Sequence, residues 1–146
     1  MPSQEALRMT PQRRVILEEL GKTSSHPTAD WIYRKVRRRL PRISLGTVYR
    51  NLDILSKHGM IRTLERAGTQ KRYDGNVREH YHVRCVQCGR IADLPVEPLK
   101  PIKRVLNLKV PNFILTDLHL ELFGLCSECR RRRRDRASER GKKGGK

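Results

Sequence analysis

Four cysteines stand in two pairs, Cys85-Val-Gln-Cys88 and Cys126-Ser-Glu-Cys129, with 37 residues between them. No other feature narrows the folds open to this chain as much. Each pair offers two sulfurs from one tight turn, and four thiolates together suit the tetrahedral coordination of a structural Zn(II). A four-sulfur site has no open position, so it holds a fold together. Its binding free energy, about 10–16 kcal/mol in small zinc peptides, would tie together the two ends of a small domain. Disulfides are the alternative in an oxidising compartment. The opening Met1-Pro-Ser-Gln-Glu-Ala-Leu-Arg-Met-Thr10 lacks the apolar centre of a secretory signal, and no apolar run approaches the roughly 20 residues that span a bilayer. The expectation is a cytoplasmic protein with no membrane partner and its thiols on zinc.

With 146 residues the chain makes one ordinary domain or two very small ones. Its 33 Lys+Arg against 15 Asp+Glu give a formal net charge of +18, which calls for a polyanionic partner. The charge is uneven. Residues 1–75 carry 16 basic and 7 acidic side chains, residues 76–129 carry 7 and 6, and residues 130–146 carry 10 and 2. These three stretches are read as a DNA-binding domain, a dimerisation and metal-binding domain, and a basic disordered tail with no apolar residue large enough to anchor it.

The first stretch reads as helices. Thr10-Pro11 caps a helix through Val15, Ile16 and Leu20 that Gly21 ends, and Thr28 opens a second that runs to Pro41. The third begins at Ser44, buries Leu45, Val48, Leu52 and Leu55, and stops at His58-Gly59. Met60–Leu64 and Thr69–Tyr73 then form a hairpin carrying Arg62, Arg66, Lys71 and Arg72. Three helices and a basic hairpin make a winged helix-turn-helix, with Thr47, Tyr49 and Arg50 facing bases and Arg13 and Lys71 joining the DNA contacts.

Asp74-Gly75-Asn76 marks the domain boundary. Beyond it, His80–Val86 and Arg90–Leu94 read as strands around Gln87-Cys88-Gly89, a helix runs from Pro98 to about Leu108, and Phe113–Phe123 reads as an amphipathic strand with His119 on its polar side. The fold class is therefore α+β. In an extended strand His80 and His82 point to one side, as a metal clamp requires, and surface histidines are the alternative. Asp74 and Asp93 in flanking segments can add oxygens, whereas His26 reaches that site only if the hinge folds. Nitrogen and oxygen donors suit Fe(II) or Mn(II) better than thiolates do. His119-Leu-Glu121 ahead of Cys126 is a poor match to a zinc deaminase, because Leu125 stands where proline is expected and Cys85 and Cys88 would have no role.

The ordered elements Thr10-Pro-Gln-Arg13, His26-Pro-Thr-Ala-Asp30, Ser44-Leu-Gly-Thr-Val-Tyr-Arg-Asn-Leu52, Arg72-Tyr-Asp74, His80-Tyr-His82, Cys85-x-x-Cys88-Gly89 and Gly124-x-Cys126-x-x-Cys129 resemble the ferric uptake regulator (Fur) family over roughly residues 8–129. The resemblance implies a winged-helix domain hinged to an α/β dimerisation domain, and a homodimer on a palindromic double-stranded operator. It implies repression when metal is bound, with no small-molecule substrate and no enzymatic turnover. It assigns Cys85, Cys88, Cys126 and Cys129 to structural Zn(II), and His26, Asp74, His80, His82 and Asp93 to a regulatory Fe(II) or Mn(II) bridging the two domains. Asp93 in place of a longer glutamate is similar to the peroxide-sensing branch, in which bound Fe(II) and peroxide oxidise a ligand histidine, here His26 or His80. Arg50, where that branch often has asparagine, is closer to the iron-uptake regulators. An uptake repressor reading metal supply is therefore the alternative.

Overall fold

The computed structural model describes residues 7–65, 69–96, 104–116 and 118–143. The chain divides into two compact units, Met1–Arg78 and Glu79–Lys146.

In the first unit, α1 (Pro11–Gly21), α2 (Ala29–Val36) and α3 (Leu45–Lys57) precede an antiparallel pair, β1 (Arg62–Leu64) and β2 (Arg72–Asp74), in which Thr63 faces Tyr73. Each helix begins on a hydroxyl cap, with Thr10, Thr28 and Ser44 accepting from the N–H of Arg13, Trp31 and Thr47. Apolar residues at helical spacing turn inward together. Ile16, Leu20, Ile32, Val36, Val48, Leu52 and Leu55 form the core, which Ile61 and Tyr73 close from the hairpin side. Gly59, at φ +69, ends α3 in the left-handed conformation that glycine adopts without strain. This unit is the expected winged helix-turn-helix. The tip of its hairpin, with Arg66, lies outside the described residues.

The second helix is shorter than its pattern suggested. Arg38 and Arg39 donate to Lys35 and Val36 in tight turns instead of continuing the helix. Pro41 bars propagation and pushes Leu40 toward extended backbone.

In the second unit, β3 (His82–Cys85) is the middle strand. It pairs antiparallel with β4 (Ile91–Asp93) and parallel with β5 (Glu121–Gly124), in the order β4-β3-β5. A 3-10 turn covers Arg104–Asn107, and the start of the helix expected from Pro98 lies outside the described residues. The expected strand from Phe113 is only partly present. Phe113 bridges Val110 alone, His119 is exposed outside any strand, and β5 begins at Glu121. An alternating pattern needs a neighbour to become a strand, and β3 offers only four residues.

The basic tail is corrected outright: Ser127–Lys143 is one helix, α4, where disorder was expected from residue 130. The Cys126–Cys129 turn supplies its nucleus, since Cys126 accepts from Arg130 N–H and its sulfur from Cys129 N–H. Arginine propagates helix well, and Glu128 pairs with Arg132 one turn on.

Candidate metal centres and nucleic-acid surface

The two cysteine turns meet at one end of the three-stranded sheet. β3 ends at Cys85, and β5, held beside it in register from His82↔Glu121 to Cys85↔Gly124, delivers Cys126 two residues later. One sulfur of each of the four cysteines lies within 4.8 Å of the others. The first turn closes through Gly89 N–H to the Cys85 carbonyl at 2.9 Å, with Gly89 at φ +71. Burial pushes the Cys85 thiol up, but N–H groups of Cys126, Cys88 and Gln87 more than reverse this and bring it to about 6. The N–H of Cys129 likewise lowers Cys126. Cys129 goes the other way, to about 12, because it is desolvated and crowded by the sulfurs of Cys126, Cys88 and Cys85. Four sulfurs this close cannot all ionise without a cation between them. The set therefore fits a structural Zn(II), which would be held by Cys85, Cys88, Cys126 and Cys129.

A second donor set occupies the other end of the same sheet. The β3–β4 register places His82 opposite Asp93. His80 Nε2 lies 3.3 Å and His82 Nε2 3.5 Å from Asp93 Oδ1, and the two rings meet edge-on with centroids 4.5 Å apart. His82 is buried and His80 nearly so, while the carboxylate is over a third exposed. Two imidazoles converging on one carboxylate oxygen form a nitrogen-and-oxygen set that fits Fe(II) or Mn(II).

The first unit brings His26 and Asp74 together. Arg72 donates to the His26 carbonyl at 3.1 Å and Tyr73 N–H to the Pro27 carbonyl at 3.0 Å, which fastens the His26-Pro27 loop to β2. Asp74 Oδ1 accepts from Asn76 N–H at 2.8 Å, and Oδ2 lies 3.5 Å from His26 Nε2. His26 holds φ +50, a left-handed conformation costing roughly 1–3 kcal/mol of strain outside glycine.

On α3, Tyr49 is 41% exposed and Arg50 is exposed beside it, while Thr47 is half-buried with its hydroxyl 2.8 Å from that of the cap Ser44. Lys71 is exposed and 3.4 Å from Glu65. Arg13 is braced inside the unit: its Nε donates to Asn51 Oδ1 at 3.1 Å and its Nη1 to the Arg8 carbonyl.

Sequence reasoning missed a buried ion pair between the metal-ligand sets. Arg84 on β3 donates to Glu121 Oε1 on β5 at 2.9 Å, with side chains 3% and 9% exposed. A charged residue next to a zinc cysteine gives no sequence signal of burial, although Glu121 in an apolar alternation was a hint.

A winged helix-turn-helix followed by a sheet with thiolates at one end and imidazoles at the other defines a metal-associated protein of the DNA-binding winged-helix class. Residues 4–123 match the model of the ferric uptake regulator family, and the chain belongs to that family of transcriptional regulators. It is 37% identical over 126 residues to the peroxide-responsive repressor PerR of Staphylococcus aureus, covering 86% of this chain and 84% of that protein. Two solved structures share its fold. The ferric uptake regulator Fur of Helicobacter pylori has a TM-score of 0.69 and 26% identity, covering 85% of this chain and 83% of that one. The Campylobacter jejuni peroxide stress regulator has a TM-score of 0.65 and 28% identity, covering 82% and 89%. Among the described residues no helix is long and apolar enough to cross a membrane.

Proposed function

We propose that this protein is a cytoplasmic, homodimeric, metal-dependent repressor that senses peroxide through Fe(II) on its histidines. The observation that carries the reading is the convergence of His80 and His82 on Asp93 Oδ1, at 3.3 and 3.5 Å. Such a set attracts Fe(II) and Mn(II), and in the first unit His26 and Asp74 form a matching pair of donors. One ion taking ligands from both units would favour a closed arrangement of the protein. If the operator favours the same arrangement, metal and DNA each strengthen the other's binding.

Bound Fe(II) would supply the reduction of hydrogen peroxide beside the ligand imidazoles. His26 and His80 are the rings we assign to that oxidation. The buried His82 would shield the ion from bulk water, and Asp93, more than a third exposed, would leave a small molecule a way in.

On DNA, Tyr49 and Arg50 are the base-reading residues, Thr47 sets the helix start against the groove, and Lys71 meets phosphate. Arg13 supports this surface through Asn51 of α3. Homodimerisation falls to the second unit, where β5 is at the edge of the sheet among the described residues, with Leu122 and Phe123 exposed, and Phe113 and Ile114 are 71% and 91% exposed. A second copy of the chain covers that surface.

The test is operator binding by protein loaded with Mn(II) or Fe(II). Both metals should tighten it, and peroxide should abolish it for the iron form alone, with a gain of about 16 mass units on His26 or His80. An iron form that still binds after peroxide, without that oxidation, would instead be an uptake repressor, a reading favoured by the exposed Arg50.

A further inference from the structure

The basic helix α4 lies wholly beyond the family match ending at residue 123, and past the zinc ligand Cys129 it is unused by the sites above. Its 17 residues extend about 26 Å. They carry nine basic and three acidic side chains, and residues 130–140 are all exposed.

The charges are not scattered evenly round the axis. At about 100° per residue, Glu128, Asp135 and Glu139, separated by seven and four positions, fall in one narrow stripe. Arg130, Arg133, Arg134 and Arg140 fall on the opposite side, with the small Ala137 and Gly141 between them. The acidic stripe is partly neutralised: Glu128 accepts from Arg90 at 3.1 Å and from Arg132. Arg130, Arg133, Arg134 and Arg140 make no ion pair among the described residues. Counted from the sequence, the back carries five basic and three acidic side chains and the front four basic and none acidic, so the front is the more strongly cationic side.

We propose that this front lies along the phosphate backbone of double-stranded DNA, as a contact additional to that of the winged helix; the inference rests on the DNA-binding reading above. Guanidinium groups pair with phosphate oxygens through two parallel hydrogen bonds, and a row of them along a rigid helix matches a row of phosphates. An anionic membrane fits less well, because a helix lying in that interface needs large apolar side chains opposite its charges, and Ala137 is the largest apolar residue in 130–143. The contact adds affinity without reading sequence.

The test uses full-length, zinc- and Mn(II)-loaded protein and a duplex recovered by selection from random sequences. Binding is titrated with salt for the wild type, for a front variant (Arg133→Gln, Arg134→Gln, Arg140→Gln) and for a back variant (Arg131→Gln, Arg132→Gln, Arg136→Gln). Both variants lose three charges, and zinc content and circular dichroism check that they are folded. The front variant should lower the slope of log affinity against log salt by about 2.7 per helix, as expected for three lost phosphates, and the back variant by less than about 1. Unchanged slopes in both, or equal falls in both, overturn the proposal. So does tighter binding of wild type to phosphatidylglycerol vesicles or to duplex RNA than to the DNA. A wild type that selects no duplex at all overturns the repressor reading and this inference with it, a result distinct from unaltered slopes in a protein that binds.

Discussion

Individual residues divide into those that hold shape and those that respond. Cys85→Ala should strip zinc and dissolve the second unit, whereas His80→Ala should leave zinc and ellipticity intact and remove the regulatory metal response; equal loss of structure in both would abolish the distinction. The Arg84–Glu121 pair belongs with the structural group. Two buried opposite charges support each other, so Arg84→Met alone should destabilise by about 3–5 kcal/mol. Adding Glu121→Leu should recover much of that in urea unfolding, and a double variant no better than the single would show that the pair does not act as a unit. Glu19 gives a pH signature. The hydrogen bond from Lys22, helped by Arg39, holds its carboxyl below the ordinary carboxylate range against the burial that raises it. Its stabilising share is therefore present above that range and lost as the pH falls through the lowered value. Glu19→Gln should flatten this part of the acid unfolding profile, and an unaltered profile would contradict the assignment.

At the scale of elements, α3 combines a packed face with an open one. Leu52→Ala should cost about 2–5 kcal/mol, because Leu52 is fully buried among the three helices. Arg50→Ala should change stability by less than about 0.5 kcal/mol while weakening operator binding by about 1–3 kcal/mol. Thermal melts and anisotropy titrations separate the two, and the reverse pattern would mean that the faces are misassigned. The helices of the first unit were legible in the sequence because caps, spacing and stop signals agreed at Thr10, Thr28, Ser44 and Gly59. The second unit was less so. Its strands are three or four residues long, so their limits depend on which neighbours they find, as the late start of β5 at Glu121 shows. Helix α4 was missed because its nucleus is the zinc turn before it.

Across the whole molecule, the thiolate set was legible from spacing, since two C-x-x-C pairs in one small unit suit four-sulfur zinc coordination. The nitrogen-and-oxygen set was legible only in part, as the His80-Tyr-His82 pair with Asp74 and Asp93 as possible oxygens, because its other donors come from separate segments. His80 and His82 meet Asp93 only through strand register, and His26 meets Asp74 only through hydrogen bonds that fasten its loop to β2. In the proposed mechanism one regulatory ion draws ligands from both units. Anomalous diffraction at the manganese edge, from Mn(II)-loaded protein bound to its selected duplex, addresses it directly. A single peak is expected within coordination distance of His26 as well as of His80, His82 and Asp93; a fully occupied peak on the second unit with His26 remote, in a protein still gripping its operator, would rule out the shared ion.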